Sequence, residues 1–382
     1  MLSQYMWVQK ASILSQSGFR NILLYSIIWL QARSGLDHVV KGLGCIAVED
    51  TYSEYIRIVF PRHSNPAGFL YGGYMMNWII DSSMISIIRA TGGEAVLGYI
   101  DNIYFLNPVT IGSMIIYRSW LARAGRSSLD VYTEVIGYNP AQNTFMLVAT
   151  AKAIYVNIDN TGRPSPHGLC LETGEDWARR LVDYMDRWHE KALSVIKRVE
   201  EKGFEDKERV LRYSAKTLRR ISTEDTMTSE IMYAGRLMLS LDEVASIVAH
   251  SYAESSVVTA SVDQMIFRSP IRVGDVIEIS ASLIRTWRTS MEIEVEVRPY
   301  RDRGDLKTRS YFTFVKIGDN RSPRELRPYI PVTPEEAEAW AEAEVRRINR
   351  MSDLERMSRY RRKPIEYKKG SISPLSLEET SP

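Results

Sequence analysis

The sequence predicts an α+β protein of two similar domains in tandem, each an antiparallel sheet curled around one long helix. The first observation behind this is an internal repeat at a spacing of 162 residues. Tyr71-Gly72-Gly73 recurs as Tyr233-Ala234-Gly235, and the same spacing takes Asp101 to Asp263, Phe105 to Phe267, Pro108 to Pro270, Gly112 to Gly274 and Ser128 to Ser290. A register that long without a net gap marks two copies of one structural unit, arranged as the covalent version of a homodimer. The second observation is the order within each copy: an extended stretch, a long apolar segment, then consecutive strand-like runs. The third is bulk composition. A chain of 382 residues, 45% hydrophobic and 25% charged, can bury two ordinary cores.

Residues 1–44 have no counterpart in the second copy and read as an N-terminal extension. Their apolar stretch, residues 21–30, is far short of the ~20 residues that span a bilayer, so no integral membrane span is expected. No small-residue cleavage site follows a basic start, and a secretory signal is not expected either. The first domain is read as residues 45–165. It opens with an extended SEYIRIVFPRH and an irregular SNPAGFL. The segment GGYMMNWIIDSSMISIIRATGG is too long for a strand and apolar nearly all round, which predicts a helix buried on most faces. The glycine pairs bracket it, one allowing close backbone approach and the other a stop.

Four strand-like runs follow: GYIDNIYFLNP, SMIIYRSWLARAG, SSLDVYTEVIGYN and TFMLVATAKAIYVNI. In the second copy the third run reads SMEIEVEV. It sets Met291, Ile293, Val295 and Val297 on one face and Glu292, Glu294 and Glu296 on the other, which predicts a strand with one wet face. Residues 166–206 read as a helical linker, 207–325 as the second domain, 326–368 as a C-terminal helical segment and 369–382 as a disordered tail. In the C-terminal segment acidic residues come first and basic residues last, as the helix dipole favours.

A net charge of +2 gives no footprint for nucleic acid. Cys45 and Cys170 are too few for a disulfide framework and fall at unrelated positions in the repeat, so a reduced cytoplasmic setting is expected. The histidines share no metal-ligand spacing, and neither a metal nor another cofactor is expected.

The first copy presents His63-Ser64-Asn65-Pro66-Ala67-Gly68, then Tyr71-Gly72-Gly73 and the helix. IDNIYFLNPVTIGS and VDQMIFRSPIRVGD form one matched pair, and GRSSLDV and WRTSMEI another. This ordered set, found twice, resembles the acyl-CoA thioesterases of the hotdog fold, in which tandem domains also occur. The resemblance implies hydrolysis of acyl-CoA to fatty acid and coenzyme A, a site at the interface of the paired domains, and assembly as a trimer of such pairs. It also implies a catalytic acid seven residues after the second glycine. That position is Asp242 in the second copy but Ile80 in the first. Asp81, one residue on, is turned about 100° around the helix. The amide shows the reverse asymmetry: Asn65 stands seven before Gly72, and Met227 seven before Ala234. Asn65 and Asp242 would therefore complete one live site, opposite a mirror site holding Met227 and Ile80.

In that site Asp242 would act as base or nucleophile, with Asn65 holding the water or polarising the thioester oxygen. Backbone N–H groups near Gly73 and Gly235 at the helix starts would complete an oxyanion hole. Arg126 and Ser128, and Arg288 and Ser290, sit in turns that the resemblance places near coenzyme A; the basic run Arg359, Arg361, Arg362, Lys363 is a further candidate. Met75, Met76, Trp78, Met238 and Leu241 would shape the acyl tunnel. Two other readings stand beside hydrolysis. A non-catalytic acyl-CoA binder would have lost its chemistry. A hotdog enoyl-CoA hydratase needs Asp two before and His three after the Asn of Asn65-Pro66, where this chain has His63 and Gly68.

Overall fold

The computed structural model describes residues 45–159, 161–202, 211–228, 230–301, 306–368 and 370–376. The N-terminal extension with its apolar stretch, the end of the linker and residues 377–382 lie outside the described residues.

In the first domain, β1 (Cys45–Ala47) and β2 (Ser53–Ile58) lead to α1 (Gly72–Thr91), followed by β3 (Ala95–Ile100), β4 (Ile103–Tyr104), β5 (Met114–Ala124), β6 (Ser128–Asn139) and β7 (Thr144–Asn157). The second domain repeats this with β9 (Ser214–Arg220), α3 (Ala234–Ala253), β10 (Val257–Val262), β11 (Met265–Ile266), β12 (Val276–Thr286), β13 (Ser290–Pro299) and β14 (Thr308–Lys316). Between them lie β8 (Cys170–Glu172) and α2 (Asp176–Lys202), and α4 (Pro334–Arg356) follows.

Helix α1 stops where the glycine pair predicts. Gly92 takes φ 69° and its N–H donates to the Ile88 carbonyl, a left-handed cap that glycine adopts without penalty. The helix is buried on most faces, and its buried hydroxyls are satisfied: Ser82 pairs with Ser119 at 2.8 Å and Ser86 donates to the Thr51 carbonyl at 2.7 Å.

Two six-stranded sheets wrap the helices, in the orders β11-β3-β7-β6-β5-β2 and β4-β10-β14-β13-β12-β9. Their meeting edges exchange strands. β4 of the first domain pairs with β10 of the second, and β11 of the second pairs with β3 of the first. Helices α1 and α3 cross between the sheets, and one apolar core runs through both domains, from Trp78 and Ile79 to Met238 and Phe312. The crossing needs glycine. A Cβ on Gly73 would lie 3.0 Å from the Leu239 Cα, and one on Gly235 would lie 3.2 Å from the Asn77 Cα.

Three sequence expectations are corrected. The glutamate face of β13 is not wet. Inward-facing Met291, Ile293, Val295 and Val297 are buried as expected, but Glu292 is also fully buried, because α4 lies over that face and Arg346 and Arg350 bind its carboxylate. Helix α2 likewise covers the outer face of the first sheet, packing Trp177, Leu181, Met185 and Trp188 on Tyr99, Trp120 and Tyr132. Second, Cys45 and Cys170 are joined as a disulfide. β1 and β8 pair in parallel, bringing the start of the first domain beside the segment that leaves it, a contact the repeat register does not encode. Third, residues 371–376 of the expected disordered tail are held on the first sheet. Arg118 donates to the carbonyls of Ser371 and Ser373 at 2.8 Å each, and Glu134 accepts from the backbone N–H of Leu375 at 3.0 Å and of Ser376 at 2.7 Å. Arg118 and Glu134 are themselves a buried pair, and the tail supplies hydrogen bonds that such a pair needs once removed from water.

Candidate active site

The first N–H groups of an α-helix have no partner within it. At the start of α1, Tyr71 is the extended N-cap, and the Gly73 N–H points across the domain boundary to Asp242 on α3. It donates to Asp242 Oδ2 at 2.7 Å, while the Thr259 hydroxyl on β10 donates to Oδ1 at 2.9 Å. Asp242 is completely buried. Burial pushes its pKa up from 3.8 to about 7, against the opposing pull of the Thr259 and Gly73 hydrogen bonds. A carboxylate so poised can take and return a proton at neutral pH.

Asn65 lies in the loop before α1. Its Oδ1 accepts from the N–H groups of Ala67 and Phe69, both at 3.1 Å, and its Nδ2 donates to the Val257 carbonyl at 3.2 Å. Val257 and Thr259 are two residues apart on β10, the first meeting Asn65 through its backbone carbonyl and the second meeting Asp242 through its side chain. The amide of the first domain and the acid of the second thus dock at adjacent stations of one strand. Tyr71 joins them, its hydroxyl 2.7 Å from Ser246, one turn along α3 from Asp242.

Thr259 was missed in the sequence. The signal was present: at the repeat spacing Thr259 answers to Leu97, a polar residue where the first copy is apolar. Of the two predicted oxyanion donors, the Gly73 N–H donates to Asp242 and Gly235 packs on Asn77. Asp81 faces another way. It accepts from Tyr233 at 3.0 Å, Asn77 at 3.3 Å and Tyr55 at 3.4 Å, and burial raises its pKa.

The four candidates for coenzyme A divide between the halves. Ser290 pairs with Val315, and Lys316, whose N–H donates to Thr289, pairs with Val257, the strand residue that Asn65 binds. Arg288 and Ser290 therefore lie on the Asn65 side; Arg288 is exposed, 3.9 Å from Glu325. Arg321 stands on the same side, its guanidinium 5.3 Å from the Phe69 ring centre. Arg126 and Ser128 lie in the opposite half, where Ser128 pairs with Val156 and Asn157 pairs with Ala95. The basic run is elsewhere: Arg362 N–H and the Tyr360 carbonyl bind the Asn107 side chain. Among the described residues no group of three His, Cys, Asp or Glu stands close enough to hold a metal ion.

A family model described as Thioesterase superfamily matches residues 67–141 and 230–304, once in each domain. A Zymomonas mobilis protein named as an uncharacterized acyl-CoA thioester hydrolase is 41% identical over 101 residues, 25% of this chain and 67% of that one. The chain belongs to the thioesterase superfamily. As a two-domain thioesterase-superfamily protein it also aligns nearly end to end with the cytosolic acyl coenzyme A thioester hydrolase of Rattus norvegicus, 26% identical over 368 residues, 90% of this chain and 94% of that one. Among solved structures it is similar to an acyl-CoA hydrolase from Staphylococcus aureus, 23% identical, covering 42% of this chain and 95% of that one with a TM-score of 0.38.

Proposed function

We propose that the protein hydrolyses acyl-CoA thioesters to free fatty acid and coenzyme A at one composite site, built from Asn65 of the first domain and Asp242 and Thr259 of the second. The observation that carries this reading is the Asp242 carboxylate, buried, held by two hydrogen bonds and raised to about 7. The relatives named as acyl-CoA thioester hydrolases support the substrate class. In this reading Asp242 takes a proton from water, whose oxygen attacks the thioester carbonyl carbon. The C–S bond then breaks, and the leaving thiolate of coenzyme A takes the proton back. Thr259 orients the carboxylate, and Asn65 steers the water or the carbonyl oxygen with its amide. Arg288 and Arg321, flanking the Asn65 loop, would meet the phosphates of coenzyme A.

A cytoplasmic setting belongs to this reading, and the cytosolic names of the rat and human relatives support it; no described helix is long and apolar enough to cross a membrane. Assembly into a trimer of chains is also proposed. Ile56, Ile58 and Phe60 at the outer edge of the first sheet and Leu218 at that of the second are exposed apolar groups suited to such contacts. Light scattering at the mass of one chain would remove that part alone.

The test of the activity is thiol release from a short-chain and a long-chain acyl-CoA. Asp242→Asn should abolish it and Asp81→Asn should leave most of it. Activity that survives Asp242→Asn but not Asp81→Asn would place the acid in the first domain. No thiol release from the unmodified chain, with acyl-CoA still bound, would leave the non-catalytic binder.

A further inference from the structure

The mirror of the live site is a cavity, not a packed wall. It measures about 230 Å³, and its walls include Ile80, Met84, Leu97, Tyr155, Leu237 and Phe267. At the repeat spacing the polar groups Asn65, Asp242, Ser246 and Thr259 answer to Met227, Ile80, Met84 and Leu97. Ile80, Met84 and Leu97 line the cavity, so its wall is apolar where the other half carries its acid and hydroxyls; Met227 is exposed and lies outside the lining. The hydroxyl of Tyr233, the counterpart of Tyr71, is turned to Asp81 at 3.0 Å, while the residue itself lines the cavity. Apolar cavities stay dry and take apolar ligands, and a methionine in the wall adapts to their shape.

The lining is not apolar throughout. Arg268 and Ser269 are exposed members of it and mark the mouth. Glu94 also lines the cavity, accepting from Thr228. The Arg272 guanidinium stands beside Gly162, where an added Cβ would lie 3.3 Å from Nη2. An apolar interior with an exposed guanidinium, Arg268, in its wall fits an amphiphile with an anionic head.

We propose that this cavity binds a fatty acid, the hydrocarbon chain among Ile80, Met84 and Leu97 and the carboxylate facing Arg268, with no bond made or broken. The proposal does not rest on the hydrolytic reading. A decanoic acid carrying a diazirine on its chain, photolysed with the full-length protein and mapped by peptide mass spectrometry, tests this directly. Label on Met84, Leu97 or Tyr155 is expected. Label confined to Phe69, Met75 or the outer surface overturns the proposal, whatever the hydrolysis assay gives. In a second arm, Leu97→Trp fills the cavity. It should lose that label while thiol release stays within about twofold, because Leu97 makes neither of the hydrogen bonds that hold Asp242. Undiminished labelling at Met84 and Tyr155 in folded Leu97→Trp overturns it as well.

Discussion

The backbone N–H of Gly73 in one domain donates to the buried carboxylate of Asp242 in the other, at 2.7 Å. Neither domain alone can build that bond. It uses a donor that the α1 start leaves unpaired, and it favours the charged form of a carboxylate that burial would otherwise keep neutral.

The first prediction concerns pH. With Asp242 as base, turnover should rise with pH and reach half its plateau near the raised pKa of about 7. Stability should move the other way. The native state keeps its proton on Asp242 between the ordinary 3.8 and about 7, whereas the unfolded chain releases it. Stability therefore falls as pH climbs through that window, by on the order of 4 kcal/mol from this group. Asp242→Asn should flatten the fall and melt higher than the unmodified chain at pH 8. A wild-type stability profile rising across the window would contradict the burial argument.

Thr259→Val should act through Asp242. The Thr259 hydroxyl pulls the Asp242 pKa down, so its loss should push the acid limb of the rate profile to higher pH. At neutral pH turnover should drop by about tenfold, one hydrogen bond to a charged group being worth roughly 1.5–3 kcal/mol. A lower plateau with an unmoved limb would make Thr259 a substrate contact instead of a carboxylate partner.

Asn65→Ala should cost less than Asp242→Ala, because ordered water can partly replace an amide. The double variant should be little worse than Asp242→Ala alone, since groups serving one transition state are not additive. Single-turnover thiol release would measure all three. Fully multiplicative losses would separate the two residues into different steps.

Gly73→Ala should both destabilise and inactivate. The new Cβ would sit 3.0 Å from the Leu239 Cα and 3.1 Å from its carbonyl oxygen, backbone atoms that cannot yield cheaply. A loss of about 1–3 kcal/mol is expected from the overpacking, read by denaturant melts. Turnover should fall further than stability, because the same shift lengthens the bond to Asp242.

Deleting residues 371–382 should leave turnover intact and lower the melting temperature. The cut strips the Arg118–Glu134 pair of the Ser371 and Ser373 carbonyls and of the Leu375 and Ser376 N–H groups, and partners lost from a buried pair cost about 1–3 kcal/mol each. An unchanged melt would mean the tail leaves that face in solution.

Much of this was legible because the repeat supplies an internal ruler. Asp242 and Asn65 could be paired by counting from glycines, since a fixed helix start fixes what lies seven residues on. Thr259 escaped because threonine is an ordinary strand residue, and only its partner Leu97 marks it as unusual. Glu292 was misread for a different reason. Its alternation is that of a wet strand, and the cover, Arg346 and Arg350 on α4, lies more than fifty residues downstream. Nor does local pattern announce the strand exchange: IY and MI are each two residues long, and nothing in them says which sheet they will join.

That exchange has a consequence for how the chain comes off the ribosome. Met265 pairs with Ile100, 165 residues upstream. Until it has been synthesised, the nascent first domain carries β3 with an open rim, the kind of edge that recruits strands from other molecules. Pairings so distant in sequence also form slowly. The period of greatest hazard is thus a stage of translation. It begins when α1 and its sheet have emerged and ends only when the second domain arrives to close the rim, and a ribosome stalled within the linker would release a half-protein with its stickiest edge uncovered.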